Sequence, residues 1–204
     1  SQAIDLATNQ VFGEAANNAL KRGLYAGWMD SMTAGMKLAN TVAGLKIDFT
    51  LVQPAFKDWI EKNGLERSTL INDTTKKDLA KSLSDGIQNG ESILELQDRV
   101  KDQFDGLRDY RSERIARTES SATVNSGALE TYRSAGIKSK LWISTLDDRS
   151  RIDHAEADGQ SVGIDESFDI GGEPLEYPGD PSGSADNVIN CRCAVSIDPD
   201  SINE

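Results

Sequence analysis

The sequence predicts an α+β protein: a mainly helical N-terminal region followed by a small C-terminal sheet-and-loop module. Three observations predict it. Up to about residue 135, apolar residues recur at helical spacing. After Gly136 the pattern shifts to short β-branched and aromatic runs between clusters of Gly, Asp, Asn and Pro. The single His and both Cys fall in that last part, as His154, Cys191 and Cys193. The boundaries that follow are 1–106 for a helical region, 107–135 for a long connecting helix and 136–204 for the module.

Taken in order, Ile4, Leu6, Val11, Phe12, Ala15, Ala16, Ala19 and Leu20 predict a helix over 3–22, stopped by Gly23. Residues 24–46 bring Trp28, Met29, Met32, Met36, Leu38 and Leu45, an adaptable apolar face. That face either fills a helix–helix core or docks a partner. Residues 49–53 precede Pro54 and are expected to be extended, because a proline disfavours helical backbone just before it. A helix with Phe56, Trp59 and Ile60 on one face should then end at Asn63-Gly64. Asp73-Thr74 reads as the N-cap of a helix through Leu79, Leu83 and Ile87, closed by Asn89-Gly90. Ser92 and Glu95 have capping-box spacing and open a further helix along Ile93, Leu96, Val100 and Phe104, interrupted at Gly106.

The connecting helix carries Arg108, Arg111, Arg114 and Arg117 three residues apart, a ridge that is either a solvated face with carboxylate partners or a docking surface for an acidic neighbour or nucleic acid. Within a regular helix Arg117 and Glu119 lie roughly 200° apart, so each should reach a separate partner, most simply in the C-terminal module. Gly136 ends this helix. Residues 138–145, with Trp142, read as a strand. A charged turn with Asp147, Asp148, Arg149 and Arg151 leads to a short helical turn bearing His154. Short strands are expected near 161–162 and 167–170, then a turn-rich loop holding Tyr177-Pro178-Gly179-Asp180. Residues 191–197 alternate as a strand, which should pair with the Trp142 strand.

Composition excludes several classes. Hydrophobic residues are 37% and charged residues 27%, a globular balance on the polar side. There is no apolar run of about 18 residues, so no membrane span is expected. Ser1-Gln2-Ala3-Ile4-Asp5 lacks the basic-then-apolar order of a signal peptide. The formal net charge of -12 disfavours nucleic acid as the main partner, because duplex binding rests on neutralising phosphates. Two cysteines are too few for a disulfide framework, and a bridge between i and i+2 on a strand would be strained. Reduced thiols in a chain made in a cytoplasm are the simpler expectation.

One imidazole and two thiols leave several chemistries open. With Asp147 or Asp153 they could complete a four-ligand structural zinc site. A thiol beside His154, oriented by Asn190 or Asp153, is the pattern of a nucleophilic hydrolase. Arg117, Glu119, His154 and Arg192 have the residue types of an RNase-like acid–base and phosphate-binding set. The plainest account is packing: buried thiols and a hydrogen-bonded His. Asp147, Arg149, Arg151 and Asp180 need no catalysis, since Arg–carboxylate forks can hold long loops in place.

Taken together, Arg117-Thr118-Glu119, Trp142 with Asp147-Asp148-Arg149 and His154, Pro178-Gly179-Asp180, and Asn190-Cys191-Arg192-Cys193 resemble, in this order and spacing, the phage Mu protein F-like domain. The resemblance covers the C-terminal half, 107–204, and extends more faintly to residues 59–64 and 71–75. It implies a minor head protein of a tailed bacteriophage, not an enzyme, that acts in head morphogenesis at or near the portal and in some cases enters the cell with DNA. It implies the virion head as location and the portal or other head proteins as partners. Arg117, Glu119, Trp142, Asp148, Arg149, Asp180 and Asn190 are then structural or interaction residues.

Overall fold

The computed structural model describes residues 11–199, with side chains described outside 103–109. Ile4, Leu6 and the side chains of Phe104 and Arg108 lie outside the described residues. Three long helices come first: α1 (Glu14–Val42), α2 (Phe49–Gln88) and α3 (Ile93–Ser134). The module follows as β1 (Ser139–Ile143), α4 (Ile152–Glu156), β2 (Ser161–Gly163), β3 (Phe168–Ile170), β4 (Glu173–Leu175), α5 (Ala185–Val188) and β5 (Ala194–Ile197). The fold is α+β, as expected.

The helices are longer than the glycines suggested. α1 runs through Gly23, α2 through Asn63-Gly64, and α3 through Gly106. An interior glycine costs only about 1 kcal/mol against alanine, which a long helix absorbs. The stretch before Pro54 is helical rather than extended. Asp48 caps α2 from upstream, accepting the Thr50 N–H at 2.9 Å and its hydroxyl at 2.7 Å. Thr74 is no cap; it sits mid-helix and donates its hydroxyl back to Leu70 O. The other end signals act as expected. Gly90 (φ 72°) and Gly136 (φ 74°) adopt the left-handed conformation at helix ends. Ser92 and Glu95 close a reciprocal capping box, with Ser92 N–H to Glu95 at 2.7 Å and Glu95 N–H to Ser92 at 3.3 Å.

Contacts group the chain into two compact units. The first comprises Ser1–Tyr25, of which 11–25 are described, and Lys62–Ile115. Among the described residues, its buried side chains are polar: Arg67, Ser68, Ser82 and Arg111. Arg111, expected on a solvated ridge, is 8% exposed and donates to Asp78 at 3.0 Å and to Ile71 O at 2.9 Å.

The second unit comprises Ala26–Glu61 and Ala116–Glu204 and holds every buried apolar side chain among the described residues. Met32 and Met36 fill this core, which decides for packing over docking at those two positions. Gly35 of α1 and Gly127 of α3 let the helices touch: a Cβ on Gly35 would overlap Val124 O, and one on Gly127 would overlap Met32 O. β1 is the centre of an antiparallel sheet ordered β2-β1-β5, with Trp142 opposite Val195 as expected; β3 and β4 form a separate hairpin. Lys140 and Trp142 face inward from β1, both 0% exposed. The Lys140 ammonium lies 5.3 Å over the Phe168 ring with no hydrogen-bond partner among the described residues. Burial pulls its pKa down to about 8.

Candidate functional site

The site is assembled from two short segments after β1. α4 supplies His154. The turn after α5 supplies Cys191 and Cys193, which precede β5 rather than lie on it. All three are buried, at 2%, 1% and 8% exposure, and their ligating atoms lie within 4.8 Å of one another. His154 Nδ1 is 3.4 Å from Cys193 Sγ and 3.7 Å from Cys191 Sγ. The thiols are free of any disulfide.

The imidazole is oriented by a residue the sequence reading did not single out. His154 Nε2 lies 3.2 Å from Asn187 Oδ1. The Asn187 amide is fixed in turn, because its Nδ2 donates to Ile170 O at 3.3 Å. An amide oxygen can only accept, so Nε2 carries the proton and the Nδ1 lone pair points at the two sulfurs. Trp142 closes one side edge-on, 5.5 Å between centroids, and Ser144 Oγ lies 3.7 Å from Cys193 Sγ. The two thiols titrate as a pair. Cys193 is held well below the usual thiol range, first by a hydrogen bond from Cys191. Cys191 is pushed up by donating to Cys193 and by burial.

Arg192 forks onto both oxygens of Asp147. This holds the Asp147 carboxyl well below the ordinary range, with the Arg149 N–H also contributing. Asp147 is therefore engaged by arginine, and the three-residue cluster does not include it. Asp148 and Arg149 are exposed; Arg149 reaches Asp147 at 3.9 Å. A cleft of about 10 Å³ opens beside His154 and Cys193, lined by Thr145, Arg149, Ser150, Arg151, Asn190 and Arg192. That is close to the space one water needs.

Two asparagines, Asn125 and Asn190, tie the module to α3. Asn125 donates to Pro178 O at 3.0 Å and Cys193 O at 3.1 Å, and accepts the Val195 N–H at 2.9 Å. One side chain thereby ties the Pro178 loop and the cysteine turn to the helix. Asp180 folds that loop, accepting from Glu176 N–H at 2.8 Å and Ser182 N–H at 2.9 Å. Asn190 takes a left-handed backbone (φ 57°), and its N–H donates to Thr118. Glu119 meets Trp28 Nε1 of α1 at 2.9 Å, so that contact is with a helix rather than with the module. Arg117 is exposed.

These features define an α+β chain whose C-terminal module, pinned to one long helix, buries an imidazole and two thiols suited to a metal. The family model described as phage Mu protein F-like protein matches residues 77–196, which include all three site residues. The chain belongs to the phage Mu protein F-like family. It is 29% identical over 158 residues to the uncharacterized protein YqbB of Bacillus subtilis, covering 74% of this chain and 51% of that protein. It is 30% identical over 134 residues to minor head protein GP7 of Bacillus phage SPP1, covering 64% of this chain and 41% of that protein. It is also 30% identical over 128 residues to the NAD(+)–arginine ADP-ribosyltransferase EFV of Enterococcus faecalis, covering 60% of this chain and 26% of that protein. The chain thus spans about half or less of the length of these relatives. No solved structure matches it. Among the described residues, no helix is long and apolar enough to cross a membrane.

Proposed function

We propose that the protein is a minor head protein of a tailed bacteriophage, acting in head morphogenesis at or near the portal through contacts with the portal or other head proteins. The observation that carries this reading is the family match over residues 77–196. Likeness to a protein named for that role supports it. So do the exposed large apolar side chains of the first unit, among them Leu70, Ile87, Ile93, Leu94 and Tyr110, which suit burial against other subunits. In this reading the virion head is its location, and passage into the cell with DNA is a further part of the role. Residues 107–204 act as the Mu F-like domain in this reading, with the family match reaching upstream of it to residue 77.

In the same reading the protein is not an enzyme. The Cys193–His154 contact is the geometry a hydrolase or RNase would start from. Both groups are buried beside a cleft with room for about one water, which argues against a substrate site there. The ADP-ribosyltransferase shares only a segment equal to 26% of its own length, which argues against carrying its activity across.

The test is protein content of purified particles from a phage or prophage encoding the chain. It should be present in heads before tails join and fall sharply in heads assembled without the portal. Absence from heads that are otherwise complete would overturn the proposal.

A further inference from the structure

We infer that His154, Cys191 and Cys193 form a zinc site with three protein ligands, its fourth position facing the small cleft beside Cys193. This site is independent of the head-assembly role. The first argument is distance. In a tetrahedral site with Zn–S near 2.3 Å and Zn–N near 2.0–2.1 Å, nitrogen and sulfur ligands sit about 3.5 Å apart. The observed Nδ1–Sγ separations are 3.4 and 3.7 Å.

Orientation is the second argument. Asn187 Oδ1 accepts a hydrogen bond from Nε2–H, and its own amide donates to Ile170 O, so the lone pair of Nδ1 is committed to the side where both sulfurs lie. An outer residue that fixes the tautomer of a ligating His is a regular part of zinc sites. One lone pair can accept only one thiol proton, whereas a cation uses both sulfurs and the nitrogen at once. Two thiolates and an imidazole favour a soft, tetrahedral ion.

The fourth position follows from what surrounds the cluster. Asp147, the nearest carboxylate in sequence, is taken by Arg192. The cleft reaches His154 and Cys193 and has room for about one water. Asn190 lines it with a side-chain oxygen that is buried and has no hydrogen-bond partner among the described residues. A zinc-bound water in the cleft would give that oxygen a donor.

The experiment uses the untagged full chain, purified without chelator. Elemental analysis should find about one zinc per chain. Replacement by Co²⁺ should give the absorption of a tetrahedral ion with thiolate charge transfer. Asn187→Ala should keep the stoichiometry but weaken zinc binding about 10- to 100-fold, measured by competition with a chelating dye. Cys193→Ser should abolish stoichiometric uptake. Should that variant fail to fold, the wild type still decides: both thiols should resist a thiol reagent until zinc is stripped. Thiols that react equally with and without added zinc would overturn the site. So would cobalt binding without thiolate charge transfer, or zinc content unchanged by Cys193→Ser in a folded protein, since that is adventitious metal only.

Discussion

α2 passes through both compact units, and its two parts are built differently. In its first turns Val52, Phe56 and Ile60 recur four residues apart and are buried to 1%, 0% and 0% exposure. From Lys62 onward its buried side chains are Arg67, Ser68 and Ser82, while Leu65 and Leu70 stand 40% and 60% exposed. One helix thus has an apolar core stripe at one end and a polar, hydrogen-bonded face at the other. Hydrophobic burial is the main favourable term in folding, so the second unit should carry most of the chain's own stability. The first unit keeps its apolar side chains for something else.

The largest test of this contrast is Trp142→Ala. Trp142 is fully buried between His154 and Phe168, with ring centroids 5.5 and 5.3 Å away. Its loss should cost about 3–5 kcal/mol, read from denaturant unfolding. A cost under about 1 kcal/mol would mean the module's core collapses around the gap, and the contrast would weaken.

Amide exchange sharpens the same point without mutation. Amides of 52–61 should exchange at least about a hundredfold more slowly than those of 66–84, although both belong to α2. Equal protection would show that the polar unit opens only with the whole molecule.

Lys140 tests the second unit from the opposite direction. Its fully buried ammonium over Phe168, with no hydrogen-bond partner among the described residues, is a cost inside this core. Lys140→Met should stabilise the protein by about 1–3 kcal/mol at neutral pH. The sign with pH follows from the depressed value. Between about 8, the folded pKa, and 10.5, the ordinary one, the unfolded chain binds the proton and the folded chain does not. Wild-type stability therefore gains from this group as pH rises through that window, and the advantage of Lys140→Met shrinks there. Thermal melts of both proteins across pH 7–10 check it. Comparing the pair cancels Tyr132, whose raised pKa acts in the opposite sense.

Much of this architecture was legible in the chain because it depends on local rules. Gly90, the Ser92–Glu95 box and Gly136 mark helix ends by backbone chemistry that few residues can supply. The pairing of β1 with β5 follows from two β-rich runs around a turn-rich insertion. The convergence of His154, Cys191 and Cys193 could be named as a possibility but not chosen among chemistries, because ligand distance is a property of the fold. Asn187 was hidden for another reason: in Ser-Ala-Asp-Asn-Val an asparagine reads as turn punctuation, and only its contacts with His154 and Ile170 give it a role. The helices were read as too short because glycine was weighed alone, without the many residues that oppose it. Arg111 does find a carboxylate partner, but it is buried rather than solvated, because its partners, Asp78 and Ile71 O, lie 33 and 40 residues away.

The smallest expected effect is the most telling for the first unit. Leu70 is 60% exposed on α2, and nothing in the fold of the isolated chain demands an apolar residue there. Leu70→Ser should change stability by less than about 0.5 kcal/mol, the range for surface substitutions. If the exposed apolar side chains of this unit serve contacts with other head proteins, the same substitution should lower incorporation into heads while the purified chain melts as before. A melt shifted by several degrees would instead place Leu70 in the chain's own core, and the division of labour between the two parts of α2 would fail.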